Sequence, residues 1–130
     1  MENVYERPFK PASIHLDTAR AFPLSAPTEQ LKSEGAFRDS GRDALTLVHD
    51  PSLTMVLTVV RGGTACGEHR PAGPTAIIVL SGTITLTVPR AETPTVLEGG
   101  SMAAVGRDFA HVVAAKTDAA FLTVIGPQRS

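Results

Sequence analysis

Two histidines carry the chemistry that this sequence offers most clearly. His69 lies six residues after Gly63, and His111 lies eleven residues after Gly100. Each histidine stands at one end of a predicted strand, among mostly apolar residues. If the two strands pair in one barrel, both imidazoles point into the same cavity. Two facing imidazoles can hold a metal ion, hydrogen-bond a ligand or pass a proton.

The elements that must position these histidines are short strands. From residue 44 onwards, runs rich in Val, Ile and Thr alternate with turns that contain glycine or proline. Ser81 and Gly82 are predicted to form a two-residue hairpin loop. Such closely spaced strands predict a sandwich or a small barrel. The predicted strands are residues 44–49, 53–61, 64–69, 76–80, 83–88, 95–98, 101–105, 111–115 and 120–125.

The N-terminal region has a different pattern. Residues 1–11 are polar and contain two prolines, which predicts an arm, and residues 13–17 are predicted to form a short strand. Ser25, with a proline in the turn that follows, predicts the start of a short helix that ends near Gly35. The polar, glycine-bearing residues 34–43 are predicted to be a loop.

Length and composition indicate one globular domain. A chain of 130 residues with 42% apolar and 19% charged residues can bury one sizeable core. The predicted organisation is an N-terminal region of residues 1–43 that packs on a barrel of residues 44–126. Residues 127–130 are predicted to be a C-terminal tail.

The charge pattern and the cysteine count restrict the partners. The net charge is −1 with both signs scattered, so no basic face is expected to bind nucleic acid. No apolar run reaches the roughly 18 residues of a membrane span, and the N-terminus lacks the apolar segment of a secretory signal. The single cysteine, Cys66, excludes an internal disulfide and predicts a reducing, cytoplasmic location. An outward apolar row with Ile78 and Leu80 predicts a homodimer formed sheet to sheet.

The spacing around the first histidine resembles a motif of the cupin superfamily. That motif reads G-x5-H-x-H-x3-E-x6-G, and it falls on Gly63, His69, Pro71, Thr75 and Gly82. Both glycines and the first histidine match. A proline stands at the position of the second histidine, and a threonine stands at that of the glutamate.

The second cupin motif, G-x5-P-x-G-x2-H-x3-N, falls around the other histidine. It aligns with Gly100, Gly106, Asp108, His111 and Ala115. The leading glycine and the histidine match, whereas the proline, the inner glycine and the asparagine do not. Two separate motifs therefore agree in spacing with the strand pattern.

The resemblance implies a fold and a metal site with part of its ligands. The fold would be an all-β double-stranded β-helix (jelly-roll) cupin barrel with an N-terminal arm and one short helix. A typical cupin metal site uses three histidines and one glutamate, and of these His69 and His111 are present. Tightly bound catalytic metals keep at least three protein ligands, so two imidazoles would hold at most a weakly bound divalent metal such as Fe, Mn, Ni or Zn.

The predicted function is small-molecule binding in an apolar barrel without a full metal centre. One alternative is a metal-dependent oxygenase or isomerase that acts on a small organic acid, ring or sugar, with the two histidines as ligands. Another is a module that senses an effector. A structural alternative is two half-buried histidines bonded to backbone or water. The predicted pocket residues are His69, His111, Thr75, Leu57, Val79, Met102 and Phe109.

The residues just before His69 are expected to face away from it. On a regular strand, successive side chains point to opposite faces, so Glu68 points away from His69. Cys66 is an odd number of residues from His69 and is expected on the opposite face as well. It is interpreted as a small buried apolar residue.

Overall fold

The computed structural model describes residues 19–89 and 93–128. The predicted arm and the predicted strand at residues 13–17 lie outside these ranges. None of the helices in the described ranges is long and apolar enough to cross a membrane. The elements in chain order are α1 (Ser25–Ser33), α2 (Gly35–Ser40), β1 (Arg42–Asp50), β2 (Leu53–Val60), β3 (Thr75–Ser81), β4 (Thr83–Thr87), β5 (Thr95–Glu98), β6 (Met102–Val105), β7 (Val112–Ala115) and β8 (Ala119–Ile125).

The strands form two antiparallel sheets. One sheet has five strands in the order β1-β2-β8-β3-β6, and the other has three in the order β5-β4-β7. Consecutive strands such as β3 and β4 therefore lie in different sheets, as the crossing connections of a jelly roll require. The predicted all-β jelly-roll architecture is confirmed.

The main core lies between the two sheets. Ile77 and Val79 of β3 meet Ile84 and Leu86 of β4 in one buried cluster. These residues alternate with more exposed neighbours along each strand, because successive side chains of a strand point to opposite faces. Each fully buried isoleucine or leucine of this kind contributes roughly 1.5–3 kcal/mol from the hydrophobic effect.

A second core lies on the outer face of the larger sheet. Leu31 of α1 is completely buried there against Leu45, Leu57 and Leu122 of three adjacent strands. The helices therefore cover the back of the sheet, and the larger sheet packs against a core on both faces. This second core decides which face of β2 points into the barrel: Leu57 points to the helices, and its neighbours point inward.

The prediction of a loop at residues 34–43 is wrong. The structure has a second helix, α2, separated from α1 by Glu34 in an extended conformation. Phe37 packs against the second core and anchors this short helix. Gly41, with a φ of 83°, ends α2 by donating its amide hydrogen to the Phe37 carbonyl at 2.9 Å.

The prediction of a hairpin at Ser81 and Gly82 is also wrong. β3 pairs with β6 and β8, whereas β4 pairs with β5 and β7, so the turn carries the chain from one sheet to the other. Gly82 has a φ of 80°, and a Cβ there would overlap the Asp118 carbonyl and lie 2.7 Å from the Cα of Ala119. Glycine is required at this turn by both its conformation and the close approach of β8.

Candidate functional site

His69 and His111 lie directly opposite each other. The backbone amide of each donates to the carbonyl of the other, at 2.9 and 2.8 Å. Opposed residues of an antiparallel pair place their side chains on the same face. The two imidazole rings stand edge to face, with centroids 5.4 Å apart and ring planes at 79°. The structure therefore brings the two sequence-predicted histidines together.

The strand that leads to His69 is interrupted. Within the predicted strand 64–69, the structure has two isolated bridges, from Ala65 to Ala114 and from His69 to His111. From Ala65 to His69 the chain takes four residue steps, whereas from Ala114 to His111 it takes three. This mismatch is typical of a β-bulge. The extra residue reverses the alternation of side chains. As a result Cys66 shares a cavity with His69, contrary to the expectation that they face opposite ways.

The cavity beside the histidines has a volume of about 260 Å³. Its walls come from β2, β7, β8 and the bulged segment. They are mostly apolar, and the polar groups are two imidazoles, two threonine hydroxyls and one thiol. A mostly apolar cavity with a few polar groups is typical of a small-molecule site. The lining residues are Val56, Thr58, Cys66, Gly67, His69, His111, Val113, Phe121, Thr123 and Ile125.

The two histidines differ in their surroundings. His69 is exposed, whereas His111 is only 4% exposed. Burial lowers the pKa of His111, the Phe109 carbonyl acts in the opposite direction, and the nearby His69 lowers the pKa further. His111 is therefore neutral at pH 7. Its Nδ1 lies 3.5 Å from the Phe109 carbonyl oxygen, so a proton on Nδ1 is donated to that carbonyl and Nε2 keeps the lone pair.

Cys66 is half-buried in the wall of the cavity. Burial raises the pKa of its thiol, while the positive charge of Arg42 and a hydrogen bond with Arg42 act in the opposite direction. The raised pKa keeps the thiol protonated at neutral pH. Cys66 is therefore suited to contact a ligand rather than to attack it.

The structure places Thr75 and Leu57 away from the cavity walls. Thr75 is buried at the start of β3, and its hydroxyl donates to the Gly73 carbonyl at 3.0 Å. Leu57 packs beneath α1 in the second core. The sequence interpretation chose the apolar face of β2 as the barrel lining, but the helices cover that face. Val56 and Thr58, on the other face, line the cavity instead.

Three further predicted pocket residues also lie elsewhere. Val79 is part of the core between the sheets. Met102 is 56% exposed, because the inward residues of β6 are its neighbours Ala103 and Val105. Phe109 is 51% exposed and lines a separate cavity of about 420 Å³. None of these three side chains therefore lines the cavity beside the histidine pair.

Sequence reasoning missed the threonines of the cavity. Thr58 and Thr123 lie on the inner face of the larger sheet and line the cavity. The sequence does contain a signal for which face of β2 lies inside, because the predicted helix near Ser25 must pack against one face of the sheet. The most apolar face of β2 is the natural choice for that contact, which leaves the threonine face for the barrel.

The donor atoms that the structure describes around the histidine pair do not fit a three-ligand metal centre. In the described ranges, no three His, Cys, Asp or Glu side chains are close enough to share a metal ion. At the other two motif positions, Pro71 has no donor atom and the Thr75 hydroxyl is bonded to Gly73. The histidine pair fits at most a weakly held ion, because structural and catalytic metals keep three or four protein ligands.

No protein-family model matches the sequence, and none of the curated proteins matches it either. Solved structures do match. A cupin superfamily protein from Desulfitobacterium hafniense is 17% identical over 87% of this chain and 95% of its own, with a TM-score of 0.68. A conserved protein of unknown function from Streptococcus pyogenes is 18% identical over 88% of this chain and 93% of its own, also with a TM-score of 0.68.

An enzyme is also among the similar structures. A variant of salicylate 1,2-dioxygenase from Pseudoaminobacter salicylatoxidans is 18% identical, with a TM-score of 0.70. The match covers 81% of this chain and 34% of the dioxygenase chain. At these identities, similarity shows the fold alone. The fold of this chain is the cupin fold, as its motif spacing predicted.

Proposed function

We propose that this cupin-fold chain binds a small molecule, with the cavity beside His69 and His111 as its binding site. The observation that carries the proposal is the pair of imidazoles, 5.4 Å apart, at a mostly apolar cavity of about 260 Å³. Apolar walls supply affinity by excluding water, and a few polar groups supply orientation.

The polar groups define what the ligand must offer. Neutral His111 supplies a lone pair at Nε2 when its Nδ1 hydrogen is donated to Phe109, so it accepts a hydrogen bond from the ligand. The hydroxyls of Thr58 and Thr123 can donate or accept. The ligand is therefore a compact molecule with an apolar body and at least one hydrogen-bonding group. A cavity of this volume is at the small end of the range for ligand sites.

A screen of small molecules by thermal shift, followed by calorimetry, tests the proposal. A ligand of this cavity should raise the melting temperature of the wild type, because it binds only the folded state. His69→Ala and His111→Gln should each fold and lose most of that shift. His49→Ala is the matched control, since His49 is an exposed histidine on β1. If the histidine substitutions at the cavity leave binding of every hit unchanged, the proposal is wrong.

A metal-dependent enzyme is the second candidate, and the proximity of the two imidazoles favours it. Two imidazoles side by side can ligate one ion, with water or substrate at the remaining positions. Elemental analysis of protein purified without added metal distinguishes the two functions. About one equivalent of Fe, Mn, Ni or Zn per chain would favour the enzyme. No metal, and no change in stability when these ions are added, would oppose it.

A homodimer remains a prediction. The outward apolar row proposed as its interface is interrupted, because Ile78 packs against the second core. Leu80, at 36% exposure, is the more accessible member of the row. Analytical ultracentrifugation of the wild type and of Leu80→Ser tests this prediction. A wild type that sediments as a monomer at micromolar concentration would contradict it.

A further inference from the structure

A second cavity adjoins the first one. It has a volume of about 320 Å³ and lies at the start of β1 and the end of α2. Thr58 and Cys66 line both cavities, so the two spaces adjoin at these two small side chains. The residues that line the second cavity are Ser40, Arg42, Asp43, Ala44, Thr58 and Cys66.

Arg42 lies at the polar end of the two adjoining cavities. Its Nη1 donates to the Ala65 carbonyl at 3.4 Å, and its side chain hydrogen-bonds the thiol of Cys66. These contacts hold the guanidinium beside the bulged segment and occupy only part of its five N–H groups. A guanidinium held in this way is suited to bind a carboxylate through two parallel hydrogen bonds.

The strand register gives the distance between the two ends. Arg42 contacts Ala65, which pairs with Ala114, whereas His69 pairs with His111. Ala114 and His111 are three residues apart in number, which is about 10 Å along a strand. Between these ends the first cavity is lined mainly by apolar side chains. A ligand that contacts both ends therefore needs an apolar body of about that length.

We infer that the natural ligand is a small carboxylic acid with an apolar body, whose carboxylate binds Arg42 and whose body passes Thr58 and Cys66 to the histidine pair. The inference rests on the proposed function, because it assigns a ligand class to the same site. It adds Arg42 as the residue that determines this class.

Asp43 lies next to Arg42 but on the other face of β1. It pairs with Val59, whose side chain belongs to the second core, and its Oδ1 accepts a hydrogen bond from the Ala44 amide at 2.9 Å. Replacing Asp43 by asparagine should therefore change the binding of acids much less than replacing Arg42 by glutamine, which should weaken it.

The test compares one acid with its uncharged amide. 4-Phenylbutyrate and 4-phenylbutyramide are titrated by calorimetry into the wild type, Arg42→Gln, Asp43→Asn and Arg38→Gln. Arg38→Gln is the control for net charge, since Arg38 is an exposed arginine of α2 that does not line either cavity. The wild type should bind the acid more tightly than the amide. Arg42→Gln should weaken the acid by about tenfold, the loss expected for one charge-assisted contact, and leave the amide unchanged.

The other two variants are controls. Asp43→Asn and Arg38→Gln should each change the binding of the acid by less than about threefold and leave the binding of the amide unchanged. Protection of Cys66 from iodoacetamide by the acid gives a second readout at the junction of the cavities.

Each failure has a distinct meaning. If the acid binds and His111→Gln abolishes its binding, but Arg42→Gln has no effect, the inference about Arg42 is overturned and the proposed function stands. If neither probe binds, while uncharged hits from the screen still depend on His111, the ligand class is overturned. If no ligand depends on either histidine, both the inference and the proposed function are overturned.

Discussion

Replacing Gly82 by alanine tests the turn between the two sheets. Gly82 has a φ of 80°, and a Cβ at this position would overlap the Asp118 carbonyl and lie 2.7 Å from the Cα of Ala119. Both obstacles are backbone atoms, one just before β8 and one at its first residue, so neither can move like the end of a flexible side chain. Gly63 and Gly100 also have positive φ, 89° and 90°, but a Cβ there meets nothing within 4 Å.

Alanine substitutions at these three glycines therefore distinguish two contributions to the loss of stability, the left-handed backbone conformation and the steric overlap of the Cβ. Placing an L side chain in the left-handed region costs about 1–2 kcal/mol, and this is the whole effect expected for Gly63→Ala and Gly100→Ala. Gly82→Ala adds the overpacking of a rigid contact, which costs a further 1–3 kcal/mol or so. The expected loss in the free energy of unfolding is then about 2–5 kcal/mol for Gly82→Ala.

Urea unfolding followed by far-ultraviolet circular dichroism measures these differences. The midpoint should fall in all three variants, and the slope with denaturant should stay constant if only stability changes. The critical comparison is between the destabilisation by Gly82→Ala and that by Gly63→Ala and Gly100→Ala. Equal destabilisation by all three substitutions would show that β8 does not approach Gly82 closely, and the crossing between sheets would have to be redrawn.

Three other predictions concern the core, pH dependence and the thiol. Leu57→Ala should lower the free energy of unfolding by about 2–5 kcal/mol without changing ligand affinity. Leu80→Ala, the control, should lower the free energy of unfolding by less than about 1 kcal/mol. Weaker ligand binding by folded Leu57→Ala would place Leu57 at the cavity. Because burial lowers the pKa of His111, the unfolded chain takes up a proton below about pH 6.5 more readily than the folded chain does. The free energy of unfolding should therefore fall between pH 7 and pH 5, and His111→Gln should reduce that fall in urea titrations. An identical fall in the variant would contradict the lowered pKa. Because burial raises the pKa of Cys66, iodoacetamide should alkylate it more slowly at pH 8 than it alkylates free cysteine, and an equal or faster rate would refute this.

Much of the fold was predictable from the sequence. The strands at residues 83–88 and 95–98 were located closely, because Thr alternates with Ile and Leu in the first and turns with proline or glycine bound the second. The spacing of the glycines and histidines resembled two cupin motifs and predicted how those strands assemble. The hairpin at Gly82 was predicted wrongly for a physical reason. A tight turn with positive φ looks the same in sequence whether the chain returns to its own sheet or crosses to the other one.

The faces of β2 could not be predicted from β2 alone. Alternation shows that Leu57 and Val59 share one face and that Val56 and Thr58 share the other, but it does not show which face is inside the barrel. The larger sheet is packed on both sides, so the more apolar face of β2 need not be the face inside the barrel. The deciding element is α1, whose fully buried Leu31 occupies the more apolar face.

The bulge before His69 shows why motif spacing succeeded where alternation failed. Alternation assumes one residue per step and therefore placed Cys66 on the face opposite His69. The bulge inserts one residue between them, and both side chains line the same cavity. The distance in sequence from Gly63 to His69 already includes this extra residue, so a motif defined by spacing locates the histidine correctly without any knowledge of the bulge. The same extra residue makes Cys66 a shared wall of two cavities.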